Sequence, residues 1–325
     1  MCTALSYKTR GHYFGRSLDL ECAFRETVVI TPRRFPFAFR RMGEMKEHFA
    51  MIGMASVADG FPLYYDATNE HGLSMAGLNF PQNAYYPPET EDRDNVSPFE
   101  FIPWILGQCK TVSQARTLLE RICLAAIPFS DVLALSPLHW IISDKAESVT
   151  VESMKDGLHV HSNPVGVLTN NPPFDWHMTN LTHYMAISSD SPENRLFSGV
   201  PLRPYSRGMG ALSLPGDLSS ASRFVRAAYM KATSICGEGE EESVSQFFHL
   251  LGSVTHVRGS VLVGGKPEIT LYSSCCGTDT GVYYYTTYDN SRITGVDMHK
   301  EDLDTDTLYV YPLRRKQDIL MENRR

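Results

Sequence analysis

The order of segment types constrains this chain most. Short β-rich runs fill its start, among them Thr3–Ser6, Tyr13–Arg16, Thr27–Thr31 and Leu73–Leu78, broken by Gly, Pro and Asp. Helical spacing follows. Thr111-Val112-Ser113-Gln114 fits a capping box, and Val112, Ala115, Leu118, Leu119 and Ile122 recur behind it, with a preceding helix expected over Pro98–Leu106. Three strands come next, at Leu138–Ser143, Ser148–Glu152 and Leu158–His161, then helices over Phe174–Tyr184, Ser219–Ile235 and Ser243–Val254. The final third returns to strands at Ile269–Cys275, Val282–Tyr288, Ile293–Met298 and Leu308–Tyr311, separated by turns with Gly277, Asp279, Asp289 and Asn290. This is not the regular βα alternation of a doubly wound sheet. It predicts an α+β fold, with two largely antiparallel sheets and helices segregated onto outer faces, in a single domain over residues 1–325. The Pro- and Gly-containing stretch from Asn163 to Gly216 reads as a long, partly irregular excursion, of a kind often functional or interfacial.

A net charge of −7 argues against nucleic acid as a partner. The basic clusters Arg33-Arg34, Arg40-Arg41 and Arg314-Arg315-Lys316 are short and read as solvated edges. No apolar run reaches membrane-spanning length, and the first residues lack an apolar signal core. Cysteines number seven, with no CxxC pair; adjacent Cys275 and Cys276 would face opposite sides of a strand. The natural reading is a reducing compartment, hence a cytoplasmic protein. The eleven histidines show no metal spacing, so His12, His71, His139 and His161 read as surface or core residues. Neither a metal nor a cofactor is expected.

Chemistry enters at the second residue. Cys2 is small enough for Met1 ahead of it to be removed, leaving a chain that starts with cysteine. One residue would then carry a thiol and an amine, nucleophile and general base together near neutral pH.

The opening Met-Cys-Thr-Ala-Leu and then Tyr13-Phe14-Gly15-Arg16-Ser17-Leu18-Asp19 resemble the choloylglycine hydrolase family, which comprises bile salt hydrolases and penicillin V acylases. Further motifs agree in order: Asn69-Glu70-His71-Gly72-Leu73 with Ala76 to Phe80, Ser136 to Trp140, Gly166 to Pro172, Tyr205 to Gly210, Leu214 to Ser220 with Ser222-Arg223-Phe224, and Tyr272 to Cys276. The resemblance covers essentially the whole chain. It implies the four-layer αββα N-terminal-nucleophile hydrolase fold.

It also implies roles. Cys2 matches the nucleophile, whose thiolate attacks an amide carbonyl and forms a thioester. Arg16 matches a fixed positive charge beside the thiol. Asp19 matches the carboxylate that orients the α-amine, and Arg223 the arginine that completes this cluster. Asn79 and Asn170 match donors to the oxyanion of the tetrahedral intermediate. Asparagine at position 79 resembles bile salt hydrolases, whereas penicillin V acylases commonly carry tyrosine there. By alignment with family loops, Leu18, Ala58, Tyr65, Phe129 and Leu133 line an apolar pocket. The reaction implied is hydrolysis of glycine- and taurine-conjugated bile acids. An acylase for penicillin V or acyl-homoserine lactones is the alternative within the class, and a catalytically dead scaffold the alternative outside it. The Tyr205–Gly216 region matches a loop that reaches a neighbouring subunit in this family; an assembly loop around 196–216 and a homotetramer are therefore expected.

Overall fold

The computed structural model describes residues 1–323. A hairpin of β1 (Cys2–Lys8) and β2 (His12–Leu20) comes first, then β3 (Thr27–Thr31), β4 (Met51–Ala58), β5 (Phe61–Asn69) and β6 (Ser74–Asn79). Helices α1 (Phe101–Gln108) and α2 (Val112–Leu119) precede β7 (Leu138–Ser143), β8 (Ser148–Met154), β9 (Gly157–Ser162) and the short β10 (Val167–Leu168). Then come α3 (Phe174–Leu181), α4 (Ser220–Thr233) and α5 (Glu240–Gly252), and finally β11 (Ile269–Gly277), β12 (Val282–Thr287), β13 (Asn290–Asp297) and β14 (Tyr309–Pro312).

Two antiparallel sheets result. A six-stranded sheet runs β10-β1-β2-β11-β12-β13, and an eight-stranded sheet runs β9-β8-β7-β6-β5-β4-β3-β14. Helices α4 and α5 pack on the first sheet through β1, β2, β10 and β11, and α1 packs on the second through β5 and β6. Layers therefore follow the order helix, sheet, sheet, helix, the α+β architecture expected. Alternation within β3 shows how the second sheet serves two cores: Val28 and Ile30 join the cluster between the sheets, while Val29 joins Phe101, Trp104 and Trp140 on the α1 side. Full burial of one such side chain contributes roughly 1.5–3 kcal/mol.

Most element starts follow local chemistry. Thr111 caps α2 by accepting from Gln114 N at 3.2 Å, but the Gln114 carboxamide oxygen turns to Lys110 N at 2.7 Å, one residue short of a closed capping box. Helix α1 starts later than the spacing suggested, because Glu100 is spent on a tight turn, accepting from Ser97 N and Arg40 N. Helix α5 starts earlier, with Glu240, Glu241 and Glu242 in its first turn, where a carboxylate meets the positive end of the helix. Strands β4 and β5 were not anticipated. Both faces of β4 are buried over Met51–Ala55, so this Gly-, Ala- and Met-rich run shows no polar alternation. Of the excursion expected over Asn163–Gly216, the first part is regular, carrying β10 and α3; from Met185 to Ser219 the only regular element is a 3₁₀ turn at Met209–Ala211.

Candidate active site

Strand β1 begins at Cys2, and its pairing with β2 sets the geometry. Cys2 lies opposite Leu18, and Ala4 opposite Arg16. Period-two alternation then puts Cys2, Arg16 and Leu18 on the face that meets the second sheet, and Thr3, Ser17 and Asp19 on the α4 face. Gly15 lets β2 approach β11 at this point; a Cβ there would fall 2.0 Å from Ser274 O.

Arg16 is fully buried and reaches across to the second sheet. Its Nη1 donates to Gly77 O at 2.5 Å and Tyr65 O at 3.2 Å, and its Nε donates to Ser17 O at 3.1 Å. Its Nη2 has no partner among the described residues. Burial works against its charge, but Cys2, Tyr272, Asp66 and Asp19 outweigh burial and raise the guanidinium above its ordinary value.

On the other face Asp19 is also fully buried. Its Oδ1 accepts from Thr270 Oγ1 at 2.6 Å and its Oδ2 from Ser17 Oγ at 3.1 Å. Arg223, from α4, does not close an ion pair on it among the described residues. Instead Arg223 Nη1 donates to Cys2 O at 2.5 Å and Thr3 Oγ1 at 2.7 Å, its Nη2 to Asn170 Oδ1 at 2.7 Å and its Nε to Leu218 O at 3.0 Å. Burial lowers the Arg223 guanidinium, with Asp19 and Cys2 opposing.

Asn170 follows β10, the neighbour of β1. Its Oδ1 accepts from Cys2 N at 2.9 Å, and its Nδ2 donates to Asn79 O at 2.7 Å. Three contacts clamp the segment that carries it. His139 Nε2 donates to Thr169 O at 3.0 Å, His177 Nε2 donates to Asn170 O at 2.9 Å, and Asn170 N donates to Ser220 Oγ at 2.8 Å. His177 is held neutral by burial, down to about 4. Asn79 closes β6 and is half-buried; its side chain makes no hydrogen bond to a described residue.

Met1 continues β1 by one residue. Its ammonium donates to Asp19 O and, at 3.0 Å, to Glu268 Oε2, while Asp19 N donates to Met1 O at 2.8 Å. Glu268 and the fully buried His256 face each other, Oε1 to Nδ1, at 2.9 Å. Burial pushes the Glu268 carboxyl up, but His256 and the ammonium together bring it below its ordinary value.

The structure thus brings Cys2, Arg16, Asp19, Asn79, Asn170 and Arg223 to one end of β1. The expected lining residues are more dispersed. Leu18 is buried beside Cys2, and Tyr65 is half-buried next to the Arg16 contact, its hydroxyl 2.8 Å from Ser56 Oγ. Ala58 ends β4 opposite Phe61, whose ring lies 6.3 Å from that of Phe129, and Leu133 is exposed on the following loop. A separate cleft of about 940 Å³ opens at the far end of β1, among Lys8, Asp144 and Lys231, and holds none of these residues. Among the described residues no group of His, Cys, Asp or Glu could hold a metal ion.

Sequence reasoning missed Glu268, Thr270, His177 and the clamping role of His139. Glu268 was visible as a charged residue directly ahead of the strand Ile269–Cys275, a position where a strand normally buries nothing charged. Chemically, the arrangement offers a thiol beside a fixed cation, a nitrogen held by a carboxamide oxygen, and two asparagines at the same strand ends.

The chain matches the family described as linear amide C–N hydrolases, choloylglycine hydrolase family, over residues 2–311. A bile salt hydrolase/transferase of Lactiplantibacillus plantarum is 51% identical, the match covering 99% of this chain and 100% of that protein. The crystal structure of the C2A mutant of the conjugated bile acid hydrolase from Clostridium perfringens superposes with a TM-score of 0.92 at 35% identity, covering 99% of this chain and 100% of that one. Penicillin V acylase from Agrobacterium tumefaciens shares the fold, with a TM-score of 0.75 at 19% identity, 95% of this chain and 90% of that chain being covered.

Proposed function

Because the chain belongs to the choloylglycine hydrolase family of linear amide C–N hydrolases, we propose that it cleaves glycine- and taurine-conjugated bile acids through a thioester on Cys2. The observation that carries the mechanism is the position of Cys2 at the head of β1, its nitrogen on Asn170 Oδ1 and its side chain on the Arg16 face. Full-length likeness to the bile salt hydrolase/transferase supports the substrate class.

Removal of Met1 turns the Cys2 nitrogen from an amide into an amine with a basic lone pair. That amine takes the thiol proton as sulfur attacks the substrate carbonyl. Asn79 and the second N–H of Asn170 Nδ2 stabilise the oxyanion. Collapse of the intermediate breaks the C–N bond, and the amine passes the proton to the departing glycine or taurine nitrogen. Water then attacks the thioester with the amine as base, releasing bile acid and restoring the thiol. Thr270 and Ser17 fix the Asp19 carboxylate on β2, beside the strand that carries the amine, and Arg223 holds Cys2 O and Asn170 together. Leu18, Ala58, Tyr65, Phe129 and Leu133 are proposed to line the steroid pocket. A parallel assay of taurocholate, glycocholate and penicillin V tests the assignment; preference for penicillin V would overturn the bile salt reading and leave the amide chemistry.

Exposed Leu196, Phe197, Leu202, Tyr205 and Leu212 on the irregular excursion support a homotetramer in which the 196–216 loop packs on a neighbour. A monodisperse monomer by light scattering would count against it. Seven free cysteines support a reducing, cytoplasmic setting. Among the described residues no helix is long and apolar enough to cross a membrane.

A further inference from the structure

One buried charge near Cys2 has no part in that chemistry. Asp66, in β5, is 1% exposed and faces the first sheet. Its Oδ1 accepts from the Tyr272 hydroxyl at 2.9 Å, and its Oδ2 from the Tyr283 hydroxyl at 2.6 Å and Ser274 Oγ at 3.2 Å. Three hydroxyls hold this carboxylate, and among the described residues no cation lies in contact with it. Arg16 is the complementary case. Its guanidinium rests on main-chain carbonyls, with an unpartnered Nη2 and no carboxylate within ion-pair distance among the described residues.

The two are nonetheless built into one frame. Ser274 Oγ accepts from Arg16 N at 3.1 Å and donates to Asp66. The carbonyls that seat Arg16 belong to Tyr65, next to Asp66 in the chain, and to Gly77, next to Ala76, the strand partner of Asp66. Between buried groups, opposite charges out of contact still act on each other more strongly than in water. The titratable groups around Asp66 are Arg16 from β2, Tyr272 and Cys276 from β11 and Tyr283 from β12; Cys2 from β1 and Asp19 from the far face of β2 act on Arg16. Burial outweighs Arg16 and the three hydroxyls and leaves the Asp66 carboxyl above its ordinary value, and burial keeps both tyrosines well above theirs, hence donors.

We infer that Asp66 is a positioning residue acting through Arg16: it is the standing counter-charge of the guanidinium and keeps Cys2 a thiol until substrate arrives. The inference rests on Cys2 being the nucleophile. That mechanism needs the thiol proton, which must leave sulfur for the Cys2 amine and then for the departing nitrogen. An unbalanced Arg16 would release this proton to solvent at rest and leave a thiolate of lower intrinsic nucleophilicity.

The test is iodoacetamide alkylation of Cys2 in the mature enzyme across pH 5–8, followed by peptide mass spectrometry, in wild type, Asp66→Asn and the apolar control Ile141→Val. Asp66→Asn is expected to alkylate about tenfold faster at pH 6, the effect of a one-unit change in proton affinity. Ile141→Val should keep the wild-type profile even if its melting temperature falls. An Asp66→Asn profile within twofold of wild type, or slower, overturns the inference. A ¹³Cγ-aspartate NMR titration of the wild type needs no variant: Asp66 should be a carboxylate at pH 7, and a protonated carboxyl there also overturns it. If blocked Cys2 still turns over substrate, the nucleophile reading falls too; if blocking stops turnover while Asp66→Asn is unchanged, only the role of Asp66 falls.

Discussion

Asn170 Oδ1 accepts from Cys2 N at 2.9 Å and from Arg223 Nη2 at 2.7 Å, so one side-chain oxygen ties the reacting residue to helix α4. Its Nδ2 is meanwhile pinned to Asn79 O. Asn170→Ala should therefore lose an amine-holding acceptor and an oxyanion donor together. A fall in kcat of roughly a hundred- to a thousand-fold is expected, the range for a single oxyanion donor. Leaving Arg223 Nη2 without this acceptor should cost about 1–3 kcal/mol of stability. Steady-state kinetics and urea unfolding check both; kcat within tenfold of wild type would remove Asn170 from the chemistry.

Processing is the second point. Active enzyme should begin at Cys2, because the amide nitrogen of a Met1-Cys2 bond has no basic lone pair. Intact-mass spectrometry decides it. Full turnover from protein that retains Met1 on every chain would contradict an amine base.

Cys2→Ser should fold and lose nearly all activity, since a hydroxyl is far less ionised than a thiol near neutral pH. Circular dichroism should overlay on wild type, and amino-acid release from taurocholate should drop to background. Unchanged release would end the case for a thioester.

Stability should decline as the solution is acidified. Burial lowers His12 and His177 to about 4, below their unfolded value, so the fold favours the neutral rings. Their contribution is fully present above about pH 6.5 and is lost as pH falls towards 4, by roughly 3 kcal/mol for each ring. Carboxylates act in the same direction, so the comparison is with His177→Gln, whose melting temperature should fall less between pH 7 and pH 4.5. Equal slopes would show that His177 is not a source of the acid sensitivity.

Substrate choice is read at position 79. Asn79→Tyr should lower the ratio of kcat/KM for taurocholate to that for penicillin V, because the ring would intrude where the conjugate lies. A ratio that does not fall would show that position 79 does not set the preference.

How much of this was legible follows from where each residue stands. Cys2, Arg16 and Asp19 sit in one hairpin with continuous motifs, so their company was readable, as was the alternation of strand and helix segments along the chain. Asn170 was readable as a site residue. Its grip on the Cys2 nitrogen was not, because that contact joins positions 168 residues apart. Asp19 and Arg223 were expected as partners and are not; alternation puts both on the α4 side, but Thr270 and Ser17 satisfy the carboxylate first. Glu268 and His256 meet because the 256–270 segment folds back on itself, Thr270 N on His256 O and Glu268 N on Val261 O, ahead of β11, which no periodic pattern reports. Strand β4 was unreadable because double burial over Met51–Ala55 erases the period-two signal.

The opposed faces of β1 impose a parity rule on the gene. A strand slipped by one residue exchanges its two faces. A single-codon insertion or deletion between Cys2 and the Thr9–Gly11 turn that kept the β1–β2 pairing would send the thiol towards α4, away from Arg16. A two-codon change would restore the facing and move the thiol along the strand by about 7 Å. The paired part of this hairpin can therefore diversify by substitution far more readily than by length. Variation in length has room in segments such as 185–219, where no ladder counts residues.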